Sequence, residues 1–319
     1  MNQKTHAPQI LSGPFGSEAA KLGTSTRNIF ATEQLEIARI IHRRFQNAGV
    51  TTGVTPTFAA APRGMDEATF DQEFERWNTY GVGVTRDVYG KDVMASVAPQ
   101  LDTSGGNDSD WPSLGHDWAR RRHEGQAHAL RNNGVKRVLG EAFRYVDEAK
   151  ALASLLEDLG FEEFICSFEA RHEHGRLPYQ PNLTYEQVKN ELVSATKGNL
   201  RVGVGVNCAS ARDCARVVYN EASGVIDAAY PNKANIGDDA VSRRFIHLAE
   251  RHGNRTSVEE KEFQSLRLQV EHGEHELQSL VELCLKRRVR YISVCCGGTP
   301  EDIAGLHSMV QRLTSRNAS

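Results

Sequence analysis

The sequence predicts one (β/α)8 barrel, a TIM barrel in the α/β class, filling residues 1–319 as a single domain. Three observations predict it. Eight short apolar or β-branched runs recur along the 319-residue chain. Most are followed by a segment of helical periodicity. The runs are nearly continuous in apolar character, as parallel strands covered on both faces are. Eight strand–helix units favour a closed barrel over an open doubly wound sheet, and barrels commonly reach this length as one domain.

In order, the predicted strands are Gln9–Phe15, Val50–Phe58, Val93–Pro99, Val135–Ala142, Glu163–Glu169, Leu200–Cys208, Gly224–Pro231 and Val289–Cys296. Between the first two, Leu35, Ala38, Ile41 and Phe45 form a helical stripe closed by Asn47-Ala48-Gly49. Phe70, Phe74 and Trp77 form the next. A third helix starts near Ser113 and ends at Asn133-Gly134. The fourth carries Val146, Ala149, Leu152, Leu155, Leu156 and Leu159, and Gly160 ends it. Thr184 with Gln187, and Ser210 with Asp213, read as capping boxes or close variants. Thr299-Pro300 opens the last helix with proline at the first helical position, and its stripe is Ile303, Leu306, Val310 and Leu313.

Two connections depart from this plan. Gln100–Pro112 is rich in Gly, Ser, Asp and Asn and reads as a mobile loop. The long stretch from Pro231 to about Arg288 contains a capping box at Ser257–Glu260 and a polar helix interrupted near Gly273. It is too poor in apolar residues for its own core, so it reads as an extended seventh βα connection.

Composition narrows the partners. A net charge of −3 gives no electrostatic footprint for nucleic acid or an anionic membrane, and Arg120–Arg122 reads as a solvated helix face. No run approaches the ~18 apolar residues of a membrane span. Met1–Gln9 has no apolar segment of a secretory signal, so a cytoplasmic location and reduced cysteines are expected.

The six cysteines then become informative. Cys208 closes the sixth predicted strand, and Cys295 and Cys296 close the eighth. Barrel active sites lie at the carboxyl ends of the strands, so three thiols could converge there. Three sulfur donors suit Zn2+, and an open fourth position marks a catalytic site. A thiol substrate filling it would be deprotonated at neutral pH, which is chemistry for alkylating sulfur. Buried core cysteines are the competing reading, and spacing alone leaves both open. An adjacent pair before Gly297-Gly298 is unusual for core packing, because successive strand residues face opposite ways. Cys166, Cys214 and Cys284 read as core. His172, His174, His272 and His275 read as solvated. Gly203 and Gly205 make no dinucleotide fingerprint, and there is no phosphate-binding loop.

Cys295-Cys296-Gly297-Gly298-Thr299-Pro300-Glu301-Asp302-Ile303 resembles the Cys-Cys-Gly-Thr-Thr-Pro-Glu-His-Ile stretch of the zinc-dependent homocysteine S-methyltransferase family. Asn207-Cys208, Tyr230-Pro231-Asn232, Thr55-Pro56-Thr57-Phe58, Leu11–Glu18 and Gly140-Glu141-Ala142 resemble its other motifs in order. The resemblance implies a (β/α)8 fold, Zn2+ held by Cys208, Cys295 and Cys296, and Glu141 and Thr55 at the amino-acid end of homocysteine. By the same resemblance Ser12, Gly13 and Asn207 join the substrate-binding set. A carboxylate at Glu141 suits an ammonium partner. The implied partners are a small-molecule thiol acceptor and a methyl donor, a sulfonium or betaine. Ser12 stands where the family has Asp, Pro14 where it has Gly, and Ser293-Val294 where it has Gly-Gly. Two rival readings follow: the same zinc chemistry on another thiol or selenol, and a non-catalytic zinc- or thiol-binding barrel.

Overall fold

The computed structural model describes residues 7–31, 33–60, 67–100, 111–170, 177, 180, 182–232 and 276–316. Eight strands are present: β1 (Gln9–Ile10), β2 (Gly53–Val54), β3 (Val93–Val97), β4 (Arg137–Phe143), β5 (Glu163–Glu169), β6 (Arg201–Ala209), β7 (Ile226–Pro231) and β8 (Tyr291–Ile292). They form one all-parallel sheet in the order β1-β8-β7-β6-β5-β4-β3-β2. A parallel bridge between Leu11 and Thr52 joins β1 to β2 and closes the ring, as the (β/α)8 prediction requires.

The helices are α1 (Phe15–Lys21), α2 (Thr26–Ala31), α3 (Leu35–Asn47), α4 (Glu67–Tyr89), α5 (Trp111–Asn132), α6 (Val146–Asp158), α7 (Tyr185–Ser194) and α8 (Ala211–Asn220). Then come α9, over 276–287, and α10 (Pro300–Arg316). α6 shows why these segments are helical. Its apolar residues recur at helical spacing, and Val146, Ala149, Leu152, Leu155 and Leu156 are buried against the sheet. Each such leucine contributes about 1.5–3 kcal/mol of burial. Gly160, at φ 72°, turns the chain out of it. The caps form as read. Thr184 and Gln187 make a reciprocal capping box. Ser210 accepts from the Asp213 N–H at 3.0 Å. Thr299 and Asp302 exchange bonds of 2.8 and 3.1 Å ahead of α10.

Three strands are only two residues long, far shorter than predicted. β1 stops at Ile10 and helix α1 already begins at Phe15. β2 is two residues long, and Pro56–Ala60 forms a 3-10 turn, because proline fixes φ and offers no N–H to a ladder. β8 ends at Ile292, ahead of the cysteine pair. Helices α1 and α2 lie between β1 and α3, where none was predicted. In the Gln100–Pro112 connection, Trp111 and Pro112 belong to α5, which breaks at Gly115; residues 101–110 lie outside the described residues. So do 233–275, with the expected capping box at Ser257 and the break near Gly273, and so do His172, His174, His272 and His275.

Two cores divide the barrel. Leu11, Met94, Leu139, Ile165, Ala228, Tyr230 and Tyr291 fill its interior. A larger cluster lies between strands and helices and includes Cys166, Cys214 and Cys284, all fully buried, as read from the sequence. The amino-terminal end of the barrel is tied by charges. Asp227 is an extra residue in the β6–β7 register. Its carboxylate takes the Val204 N–H at 3.2 Å and pairs with Lys189 and Arg290, each at 2.7 Å. Arg290 also pairs with Glu163, which accepts from the Tyr291 hydroxyl at 2.7 Å. In this architecture that face serves stability, and the carboxyl face serves chemistry. Among the described residues, no helix is long and apolar enough to cross a membrane.

Candidate metal centre and substrate cavity

Simple strand alternation does not place Cys208. Val202, Val204 and Val206 face the helices, so Asn207 faces inward and Cys208 is due outward. Instead the β6–β7 register shifts between Asn207 and Ala209, and Cys208 takes φ 53°. This bulge aims its thiol into the barrel mouth. A matching bulge occurs in β4, between Gly140 and Phe143. There Ala142 takes φ 60°, just after Glu141, which faces inward two residues beyond Leu139. Past the end of β8, Cys295 packs against the barrel interior and its N–H donates to Pro231 O at 2.7 Å. Cys296 lies in the following turn, freed from alternation, with Gly297 at φ 77°.

The three thiols converge. Cys208 and Cys295 sulfurs are 3.2 Å apart, Cys295 and Cys296 sulfurs 3.9 Å apart, and all three lie within 4.8 Å of one another. Hydrogen bonds from the Cys208 and Cys295 thiols hold the Cys296 thiol far below its ordinary range. Those contacts push Cys208 above it. Cys295 is drawn down by Cys208 but ends up raised, through its bond to Cys296 and its burial. Soft sulfur donors at this spacing fit a metal such as zinc.

These thiols border a cavity of about 210 Å3. Ser12, Gly13, Thr55, Ser96, Glu141, Asn207 and Tyr230 also line it, and no Lys, Arg or His does among the described residues. Burial pushes the Glu141 carboxyl up to about 7, against the Ser96 hydrogen bond that lowers it; the Cys296 charge adds to the rise. The hydroxyls behind Glu141 form a chain. Thr57 donates to Ser96 O at 2.7 Å, so the 2.6 Å contact between Thr55 and Thr57 has Thr55 as donor. Thr55 Oγ1 accepts the Ser96 N–H at 3.1 Å, and the Ser96 hydroxyl donates to Glu141.

The other predicted site residues lie on the same wall. Ser12 Oγ accepts the Val54 N–H at 2.8 Å and reaches Val54 O at 3.5 Å. A Cβ on Gly13 would sit 2.8 Å from the Phe45 ring, so only glycine lets α3 approach this closely. With its carboxamide nitrogen facing Phe168 O at 3.2 Å, Asn207 accepts the Ala142 N–H at 3.0 Å. Asn207 thus braces the β4 bulge behind Glu141. The sequence reading missed Ser96 as a site residue, although a lone polar residue at an inward position of β3 signals it. It also assigned no role to Tyr230, whose buried hydroxyl has no hydrogen-bond partner among the described residues. Burial and then the Glu141 charge push that phenol up.

The fold and this mouth define a (β/α)8-barrel enzyme with a three-thiol centre at the carboxyl ends of its strands. The chain belongs to the homocysteine S-methyltransferase family, whose profile matches residues 9–310, and it is a methyltransferase. Among solved structures it is similar to the homocysteine methyltransferase MmuM from Escherichia coli. The metallated form matches at 18% identity over 95% of this chain and 96% of that one, with a TM-score of 0.62. The apo and oxidised forms match over the same shares at the same identity, with TM-scores of 0.63 and 0.64. That likeness shows the shared fold. A sequence search of curated proteins returned no match.

Proposed function

We propose that this chain transfers a methyl group from a sulfonium or quaternary-ammonium donor to the thiol of homocysteine, giving methionine, at a zinc ion held by Cys208, Cys295 and Cys296. The observation that carries the reading is three thiols within 4.8 Å in one cavity with Glu141, the one carboxylate lining it among the described residues. Zinc bound there supplies the charge that keeps an incoming thiol deprotonated at neutral pH. The structure of MmuM in a metallated form supports a metal at such a centre.

The protein's own groups do the rest. Glu141, oriented by the Ser96 hydroxyl, faces the acceptor's ammonium. Thr55 has spent its proton on Thr57 and offers only a lone pair. Asn207 holds the bulge that aims Glu141. The acceptor's thiol proton goes to solvent on binding. Its sulfur then forms the bond to the methyl carbon as the donor's C–S or C–N bond breaks, and the leaving group keeps that electron pair. Holding the two reactants in line removes much of the entropic barrier. Reduced thiols this close suit a reducing, cytoplasmic setting.

One observation favours a second acceptor. Ser12 provides no charge, so a thiol or selenol with a different head group is the alternative within the same chemistry. The metal assignment is tested by elemental analysis, which should give one zinc per chain. Cys208→Ala, Cys295→Ala and Cys296→Ala should each lose both zinc and methyl transfer. Full zinc occupancy and turnover in Cys296→Ala refute the site. Labelled donors offered with homocysteine and with other thiols identify the reacting pair.

A further inference from the structure

The cavity's hydroxyl groups differ in what their protons are doing. Ser96 donates to Glu141. Thr55 donates to Thr57. Ser12 is bound to the Val54 backbone in both directions. Thr26, at the mouth, is half-exposed, so water can satisfy it. Tyr230 is buried as well, at 5% exposure, and lines the cavity, but its hydroxyl has no partner among the described residues. A buried hydroxyl left unpaired costs about 1–3 kcal/mol. Such groups are paired in folded proteins, by other protein groups, by ordered water or by a ligand.

The position of Tyr230 narrows what arrives. It stands on β7 beside Asn207 in the β6 register and packs in the interior cluster on which Cys295 rests. Asn207 in turn accepts the Ala142 N–H next to Glu141. The hydroxyl and Glu141 therefore line one cavity and can meet one ligand. A phenol at neutral pH carries a proton to donate, and the cavity has no Lys, Arg or His among its described lining residues to meet an anionic head group. We infer that the Tyr230 hydroxyl is the donor for the carboxylate of an α-amino-acid thiol whose ammonium lies against Glu141. In an α-amino acid those two groups share one carbon, so a single ligand presents both to the cavity. This role rests on the thiol-acceptor reading above and deepens it: the acceptor is selected as an amino acid, not as any thiol.

The test is calorimetric binding to the zinc-loaded protein, wild type and Tyr230→Phe, with homocysteine and with 3-aminopropane-1-thiol, which lacks the carboxylate. The variant should bind homocysteine about ten- to a hundredfold more weakly, the range for losing a hydrogen bond to a charged group. Both proteins should bind the amine thiol equally. Wild type should itself prefer homocysteine by a similar factor, a comparison that needs no variant to fold. The melting temperature of ligand-free Tyr230→Phe should be unchanged or higher, because the substitution removes an unpaired buried hydroxyl. Equal homocysteine affinity in both proteins overturns the role, as does an equal loss for both thiols. A lowered melting temperature also overturns it, by showing a structural partner. If wild type binds neither thiol, the acceptor reading fails together with this role. If wild type binds both and the variant is indifferent, this role fails alone.

Discussion

Replacing Glu141 with Gln separates two consequences of holding a carboxyl in this cavity. Its pKa of about 7, against an ordinary 4.5, means that the folded protein resists ionising it. A group whose folded pKa is raised contributes stability that is fully present below the unfolded value and lost as pH rises through the folded value. With 4.5 unfolded and about 7 folded, the stability lost between pH 5 and pH 8 comes to about 2.5 kcal/mol. Glutamine keeps an oxygen for the Ser96 hydroxyl and cannot ionise. Metal-free, reduced wild type and Glu141→Gln should therefore diverge in urea unfolding, the variant gaining about 2.5 kcal/mol relative to wild type on going from pH 5 to pH 8. Titrations common to both proteins cancel in the difference. In the zinc-loaded protein the sign reverses for function. Acceptor binding should weaken by about 1.5–3 kcal/mol in the variant, with zinc content unchanged. A pH-independent stability difference would show that Glu141 is well solvated, and an unchanged acceptor affinity would remove it from the binding site.

Ser12→Asp keeps an acceptor for the Val54 N–H and puts a second carboxylate on the Glu141 wall. Homocysteine binding, measured by calorimetry, should tighten by about 1.5 kcal/mol while the ligand-free protein loses stability; no change in either would remove Ser12 from the cavity wall. At the opposite end of the barrel, Asp227→Ala strips the partner from Lys189 and Arg290 and the acceptor from Val204. The loss should be about 3–5 kcal/mol in chemical denaturation with one zinc per chain retained, and zinc loss in the folded variant would show that the two ends are not independent.

The middle of the barrel was legible because β3 to β7 are apolar runs long enough to carry a period. β5 begins and ends at the predicted residues, Glu163 and Glu169. The edges of the ring were not. β1, β2 and β8 pair over two residues each, and the apolar character around them belongs to turns and to α1. The three cysteines were legible from their place at strand ends, although for β8 the place was a turn after the strand. The left-handed backbone at Ala142 and Cys208 was not, since neither is a glycine that would announce it. The Ser96–Glu141 bond joins residues 45 positions apart, and pairing at that distance leaves no local pattern.

Those two left-handed residues bear on how such a chain tolerates change. Below each bulge the strand obeys alternation, and any apolar side chain of fitting volume serves. Above it, direction is set by one strained residue and a few hydrogen bonds. Substitutions in the staves are therefore felt as packing and are damped before they reach the rim. With an ordinary strand conformation at Cys208 the barrel would be spared and the thiol would point out of the mouth. The scaffold and the rim can thus drift in sequence at different rates, and a barrel 18% identical to MmuM over nearly its whole length is what that independence permits.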